Sequence, residues 1–548
     1  MPRRSLAVVG WLWSETLFKK RAFCLTVWLV LLPFAATANP PAPTVNPLAE
    51  ALAAPASSCD VLRPAPVGAA LERLEAFYRG RDYQLAWRDY RQIDHLLEAL
   101  ESLADDGLSP ASYAPQKIRR LTHSASSDPR HRLCADIVAS HAYLQALDHL
   151  AHGRLQQDAL EPLWRSPDSP AREDPHQTLA RAWRGLDDPR QALASARPEL
   201  PQYRQLRQVY AERRRQALPD WQPIPAGPSL HPDERDARVP LLRRRLLGDT
   251  AAPAGEAERY DATLAAAVRA FQLHHGIEQD GVVGRSTLAA LNVSPASRLD
   301  QLRINLERLR WLAAELDSRS LLVNIAGASL SYIEDGQTRW RTRTQVGREA
   351  RRTPPLKSRV TRLTLNPTWT VPPTILREDK LPLIRQDPEY LARSRMSVLD
   401  RQGNRLDPAT VDWHNPGGIM LRQDAGPENP LGRVAIRFAN PFSVYLHDTP
   451  SQALFARAGR TTSSGCVRVQ DAMHLVDLLL QDGERERVAE LLESGRTHEY
   501  RLARPTPILM AYWTAEAQED GELFFHPDIY HHDAALLRAL EATERSQP

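Results

Sequence analysis

The chain has 548 residues, a length for three or four domains, of which 42% are hydrophobic and 25% charged. Its formal net charge is +3, but residues 1–38 carry five basic side chains and Glu15, so the remainder is near −1. That balance argues against a nucleic-acid partner, which calls for a basic surface, and 44 Pro against 25 Gly suits folded units joined by stiff linkers.

The N-terminus reads as an export signal. Arg3, Arg4, Lys19, Lys20 and Arg21 form a basic region, residues 23–34 an apolar core, and Ala36-Thr37-Ala38 a small-residue cleavage site. The apolar run, about 12–14 residues, falls short of the roughly 20 that span a bilayer. Residues 1–38 are therefore a cleaved signal peptide or an N-terminal anchor, and either one exports the rest. Export sets the cysteine chemistry. Cys24 lies in the signal, Cys59 and Cys134 have the option of pairing in an oxidising compartment, and Cys466 is left alone. A lone cysteine in an exported chain is either a reactive thiol or an inert buried one.

Residues 39–59 are rich in Pro and Ala and read as a linker. From 60 to 225 the pattern is helical: Leu71, Leu74, Phe77 and Tyr78 share a face, and 93–103 repeats the period. Asp105-Asp106-Gly107-Leu108-Ser109-Pro110 breaks it, and another helix follows around 134–151. No catalytic cluster stands out, so this part reads as a scaffold. Five prolines between 217 and 238 suggest a second linker. A compact unit over 239–296 then offers three helices, with Gly276 at a helix end, Asp280-Gly281 in a tight turn and Ser286 as a helix start. Tyr260-Asp261, Val268 to Gln272, Gly276-Ile277, Asp280-Gly281, Val283-Gly284, Thr287-Leu288 and Leu291-Asn292 make it resemble the small three-helix peptidoglycan-binding module.

From 319 the rhythm changes to strands: 321–325, 328–333 with a hairpin turn at Asp335-Gly336, 360–365, 434–438 and 443–447. Residues 372–418 are helical and irregular and read as an insertion, a candidate lid. After Cys466, residues Ala472, Leu475, Val476 and Leu479 mark a helix.

Two residues in this half carry chemistry. His447 ends a strand at a proline-marked break, and Cys466 follows Gly465 ahead of a helix. A helix N-terminus and a nearby imidazole both favour thiolate, and Gly465 allows the close backbone approach an oxyanion hole needs. A histidine and a cysteine 19 positions apart prove nothing alone. The wider pattern is specific. His447, fifteen residues, then Ser463-Ser464-Gly465-Cys466-Val467-Arg468 resembles the signature of the YkuD-type L,D-transpeptidases, with Ser464 where the commoner form has histidine. Val346-Gly347 with Thr353-Pro354-Pro355, Asn366-Pro367-Thr368-Trp369, residues 426–432, Phe77-Tyr78, Ala86-Trp87, residues 106–108 with Tyr113, 511–515 and Asp528-Ile529-Tyr530 agree in order.

The resemblance implies a multi-domain α+β protein. Its parts are a helical scaffold, the three-helix module, a β-rich catalytic domain over 319–504 with the lid insertion 372–418, and a C-terminal tail over 505–548. It implies Cys466 as nucleophile, His447 as general base and acid, Asp448 orienting the imidazole through its backbone carbonyl, and Gly465 in the oxyanion-hole region. The reaction implied is 3→3 cross-linking of peptidoglycan stems with release of D-alanine. No metal or other cofactor is expected: His274-His275 and His531-His532-Asp533 lack a further spaced ligand. Tyr445 lines the pocket or packs in the core. Arg468 holds a carboxylate or an internal partner. Ser463 and Ser464 touch substrate or shape the turn. Expected partners are peptidoglycan stems and glycan, with cell-wall synthesis proteins a further possibility, in the periplasm, peripheral to or anchored in the inner membrane. The rivals are an L,D-carboxypeptidase or lipoprotein-anchoring enzyme, and a non-catalytic peptidoglycan-binding protein. A papain-like peptidase would place its cysteine first, and a zinc hydrolase would need a spaced ligand set that the catalytic half lacks.

Overall fold

A computed structural model describes residues 46–54, 59, 66–124, 128–169, 175–248, 255–387 and 389–545. The export signal expected over 1–38 lies outside them.

The scaffold is a set of packed helices. The longest, Pro129–His152, is buried on several sides, and Asp128 caps it by accepting from Arg130 N. Asp136 within it accepts from Ala86 N, Trp87 N and Tyr78 Oη, which satisfies a buried carboxylate with three donors. Part of the segment read as a linker over 39–59 is different: Pro47–Ala53 is a helix, and Leu48, Ala51 and Leu52 join the scaffold core. Its Ala and Leu spacing buries one face despite the flanking prolines. Cys59 and Cys134 form a disulfide.

The three-helix module holds Val239–Leu247, Ala262–His274 and Arg285–Leu291. Asp261 caps the second helix through Leu264 N. The third starts at Arg285 with Gly284 at its cap, one residue before the expected Ser286. Residues expected to be linker contribute to its core as well. Ile224 and Leu230 are buried there, and Asn292 holds the Ile224 backbone through two hydrogen bonds.

A 19-residue helix, Pro295–Ala313, connects the module to the sheet. Leu302, Leu306, Leu309 and Leu312 pack with scaffold residues Tyr203 and Leu206 and with Leu322 and Leu509 of the sheet. Its other faces are buried too. Arg308 pairs with Glu161 and Asp533, and Arg310 with Glu307, so each charge removed from water has a partner.

The catalytic sheet includes β1 (Trp164–Arg165), β2 (Ser320–Asn324), β3 (Ser329–Glu334), β4 (Gln337–Gly347), β5 (Leu356–Leu365), β10 (Val434–Phe438), β11 (Leu446–His447), β12 (Thr461–Ser463), β13 (Val467–Val469) and β14 (His498–Ala511), with β6 to β9 in the insertion below. Asp335 and Gly336, both at positive φ, turn β3 into β4. The order is β1-β5-β10-β11-β13-β4-β3-β2-β14, with β12 beside β4. β14 pairs with both β2 and β5, which joins the two edges and closes the sheet. The expected tail over 505–548 therefore begins inside a central strand. Its later part also docks, because Leu536 and Leu540 of the last helix are buried against Ile304 and Trp311.

The insertion is more ordered than its sequence suggests. β6 (Trp369–Thr370), β7 (Met396–Leu399), β8 (Arg405–Leu406) and β9 (Met420–Gln423) form a separate sheet, ordered β6-β9-β7-β8. Val371, Ile384, Leu391, Val398 and Leu421 give it a core of its own.

Candidate active site

Strand alternation decides which side chains meet. β11 runs parallel to β13 with Leu446 opposite Val467 and His447 opposite Arg468. Leu446 and Val467 point into the sheet's apolar core. Tyr445, His447, Cys466 and Arg468 therefore share the other face. β10 puts Ala435 opposite His447, so Arg437, two residues on, also lies on that face. Its guanidinium carbon is 4.0 Å from the Tyr445 ring centroid.

His447 is buried, and its Nδ1 lies 2.6 Å from the Asp448 carbonyl oxygen. A carbonyl only accepts, so Nδ1 carries the proton and Nε2 is free to accept one. Burial and the positive Arg468 and Arg437 push the imidazole down to about 3, against the opposing pull of the Asp448 and Pro430 carbonyls. The Asp448 carboxylate serves a different purpose. It accepts from Arg433 N at 2.9 Å and from Gln452 Nε2 at 3.3 Å. Gly432, at φ +59°, lies so close that a Cβ there would come within 2.3 Å of Asp448 Oδ2.

Cys466 is a free, half-buried thiol. Burial pushes it up, while hydrogen bonds from Tyr445 and the charges of Arg437 and Arg468 pull the other way. The sequence expectation of a helix N-terminus at the sulfur is corrected here. Val467-Arg468-Val469 is β-rich and pairs with β11 and β4, and the next helix begins only at Ala472. No helix starts at the thiol to lower its pKa, and both the thiol and the imidazole rest neutral.

The two serines differ. Ser463 is buried; its Oγ donates to the Cys466 carbonyl and accepts from Gly465 N. It shapes the turn, and its burial and its committed proton count against a substrate contact. That bond also occupies the Gly465 N–H that had been a candidate oxyanion donor. Gly465 sits at φ +113°, where a side chain is strained. Ser464 is exposed, and its Oγ accepts from Arg351 Nη1 at 2.9 Å. The same arginine pairs with Glu378 and Asp379, both at 2.6 Å, and so ties the insertion to the cysteine loop. Arg468 donates to Gln345 Oε1 at 3.0 Å while its buried Nε has no acceptor. Tyr445 is half-buried beside His447, with ring centroids 5.6 Å apart.

Behind the loop is a buried bridge. Thr353 Oγ1 accepts from Gly347 N and donates to the Gly465 carbonyl, both at 2.8 Å. Tyr530 Oη accepts from Thr353 N at 3.0 Å and donates to the Gly347 carbonyl at 2.7 Å. Scattered sequence pieces thus meet at one point. Arg437, Gln345 and Arg351 had not been singled out. A polar residue inside the apolar run 434–438 was a usable signal for Arg437; Arg351 gave none. Among the described residues no group of three or more His, Cys, Asp or Glu is placed to hold a metal.

A neutral imidazole of fixed tautomer at the end of β11 and a free thiol one residue before β13 are residue types that thiol-based acyl transfer uses. Comparison with known proteins agrees. Residues 318–489 match the L,D-transpeptidase catalytic domain (YkuD), 72–209 a scaffold domain, and 236–291 the family described as "Putative peptidoglycan binding domain". A Haemophilus influenzae protein described as "Putative L,D-transpeptidase" is 35% identical over 241 residues. That match covers 43% of this chain and 48% of the relative, so the chain spans about half the length of the curated protein it matches. The chain therefore carries a YkuD-type L,D-transpeptidase catalytic domain together with a scaffold domain and a peptidoglycan-binding domain. Among solved structures, an L,D-transpeptidase from Mycobacterium smegmatis is 12% identical with TM-score 0.15, covering 35% of this chain and 58% of its own. One from Xylanimonas cellulosilytica is 16% identical with TM-score 0.15, covering 52% and 98%. Scores this low add nothing to the assignment.

Proposed function

We propose that this protein makes 3→3 peptidoglycan cross-links through a thioester on Cys466. The observation that carries the reading is His447, its Nδ1 held by a carbonyl and its Nε2 left free, on the same sheet face as an unpaired cysteine. In the first step the thiol proton passes to His447 Nε2. The sulfur attacks the carbonyl of the third residue of a tetrapeptide stem, and the oxyanion is held by the Cys466 N–H. The C–N bond breaks, D-alanine takes the proton from His447, and a thioester remains. The side-chain amine of a second stem's diamino acid then attacks the thioester. Its proton passes through His447 to the sulfur, an amide forms and the thiol is restored. One amide replaces another, so no nucleotide energy is required.

Because both groups rest neutral, thiolate arises only as the thiol proton passes to His447, which limits stray thiol chemistry. The insertion acts as a lid, and the link from Arg351 to Ser464, Glu378 and Asp379 supports this. It would shield the thioester from hydrolysis. The protein works in the periplasm, exported by residues 1–38. No helix among the described residues is long and apolar enough to cross a membrane.

The test is intact-protein mass of residues 39–548 with defined disaccharide-tetrapeptides, beside Cys466→Ala. An adduct on the parent protein only, with a dimer lacking one D-alanine, supports cross-linking. An adduct that yields only tripeptide shifts the reading to a carboxypeptidase. No adduct from a folded protein that still binds peptidoglycan leaves a binding protein.

A further inference from the structure

A groove of about 770 Å³ lies between the peptidoglycan-binding module and the catalytic sheet, apart from the cysteine site. One wall is cationic. Alternation along β4 puts Arg341, Arg343 and Gln345 on one face, and Gln345 is bonded to Arg468. The row therefore leads from the groove to the sheet face that carries Cys466. Glu516 neutralises Arg341. Arg343 and Arg460 are different. Arg343 Nε donates to the Gln470 side-chain oxygen at 2.9 Å. Arg460 donates to the Gly327 and Arg457 carbonyls at 3.1 and 3.2 Å, and its buried Nε has no acceptor. Burial and the like charge of Arg343 both weaken its hold on its proton. Among the described residues neither arginine has a carboxylate at ion-pair distance.

The facing wall, from the module, carries Glu278 and Asp280, both exposed. They accept from backbone N–H groups and from Gln272, and among the described residues neither pairs with a cation. The groove thus sets two arginines that lack an ion-pair partner among the described residues against Glu278 and Asp280, with the exposed Asp471 beside Gln470 at its edge. A buried guanidinium with an empty donor is costly alone and favourable against a carboxylate.

We propose that this groove is a second substrate subsite. It seats a stem-peptide segment that carries both a free carboxylate and a free amine. The carboxylate lies on Arg343 and Arg460 and the amine faces Glu278 and Asp280. The proposal rests on the reading of the protein as an enzyme of stem peptides. A strand held there stays tethered to the enzyme between turnovers, which raises its effective concentration at Cys466.

The experiment follows hydrogen exchange at residues 340–343 and 456–460 in the full chain carrying Cys466→Ala, titrated with a disaccharide-tetrapeptide. Protection of both segments is expected. Arg343→Gln with Arg460→Gln moves the midpoint to about tenfold higher ligand or more. Amidating the stem carboxylates does the same with the parent arginines in place, so the outcome does not depend on the variant's folding. Acetylating the amine gives a smaller shift, because its partners are exposed. No protection, or a midpoint unchanged by either the substitutions or amidation, overturns the proposal. Thioester formation on unmodified Cys466, read by mass, judges the transpeptidase reading separately.

Discussion

Thr353→Val tests whether the buried bridge behind the cysteine loop positions the nucleophile. Valine has the same shape but strands the Gly347 N–H and the Gly465 carbonyl, both of which Thr353 Oγ1 satisfies at 2.8 Å. An unpaired buried polar group costs about 1–3 kcal/mol, and partial relaxation puts the pair at about 3 kcal/mol. The same loss frees Gly465, the residue before Cys466. A displacement near 1 Å at a reacting atom costs about a hundredfold in rate. Two measurements separate these effects: the urea midpoint for stability, and the rate of Cys466 acylation by a tetrapeptide donor under conditions where the variant is fully folded. Thr353→Ser keeps the hydroxyl and should stay near the parent in both. A stability loss below about 0.5 kcal/mol, together with a parental acylation rate, would refute the reasoning.

The pH profile follows from the neutral resting pair. Protonated His447 has no lone pair for the thiol proton, and its folded value is about 3, so acylation should persist to about pH 4; a limb near 6.5 would sink the neutral pair. Burial also lowers His141 and His275 to about 4 and His149 to about 3. Folded values below the unfolded 6.5 give stability that is present above pH 6.5 and lost as pH falls toward 3, so the melting temperature should drop through that window. Removing the disulfide with Cys59→Ser and Cys134→Ser opens a loop of 75 residues and should cost about 4.5 kcal/mol by urea denaturation. Asp106→Asn removes the buried charge that Arg197 and Arg207 share and should cost about 3 kcal/mol, read the same way.

Much of this was legible because local chemistry is local in sequence. The Asp335-Gly336 hairpin and the helix through Leu475 and Leu479 both follow from neighbouring residues. Cys466 and His447 were singled out from spacing and from the family resemblance together, and the structure places them on one face of the sheet. The misses share a physical cause. Pro295–Ala313 is buried on several faces, so no single apolar stripe marks it, and its buried arginines look like surface residues until Glu161 and Asp533 are seen beside them. Pro47–Ala53 and Ile224 looked like linker because proline composition says nothing about a later partner. Cys466 was placed at a helix start because the short β13 between them depends on pairing with two distant strands.

The bridge through Tyr530 also bears on the timing of synthesis. β2 and β14 lie side by side although one begins at Ser320 and the other ends at Ala511, and Tyr530 comes later still. A nascent chain holds the thiol and the imidazole well before it holds the residues that close the sheet and brace the cysteine loop. Any chain cut short before Tyr530 would carry Cys466 on a loop without that brace. The cysteine loop is therefore braced only after Tyr530 has been made, 64 residues after Cys466 itself.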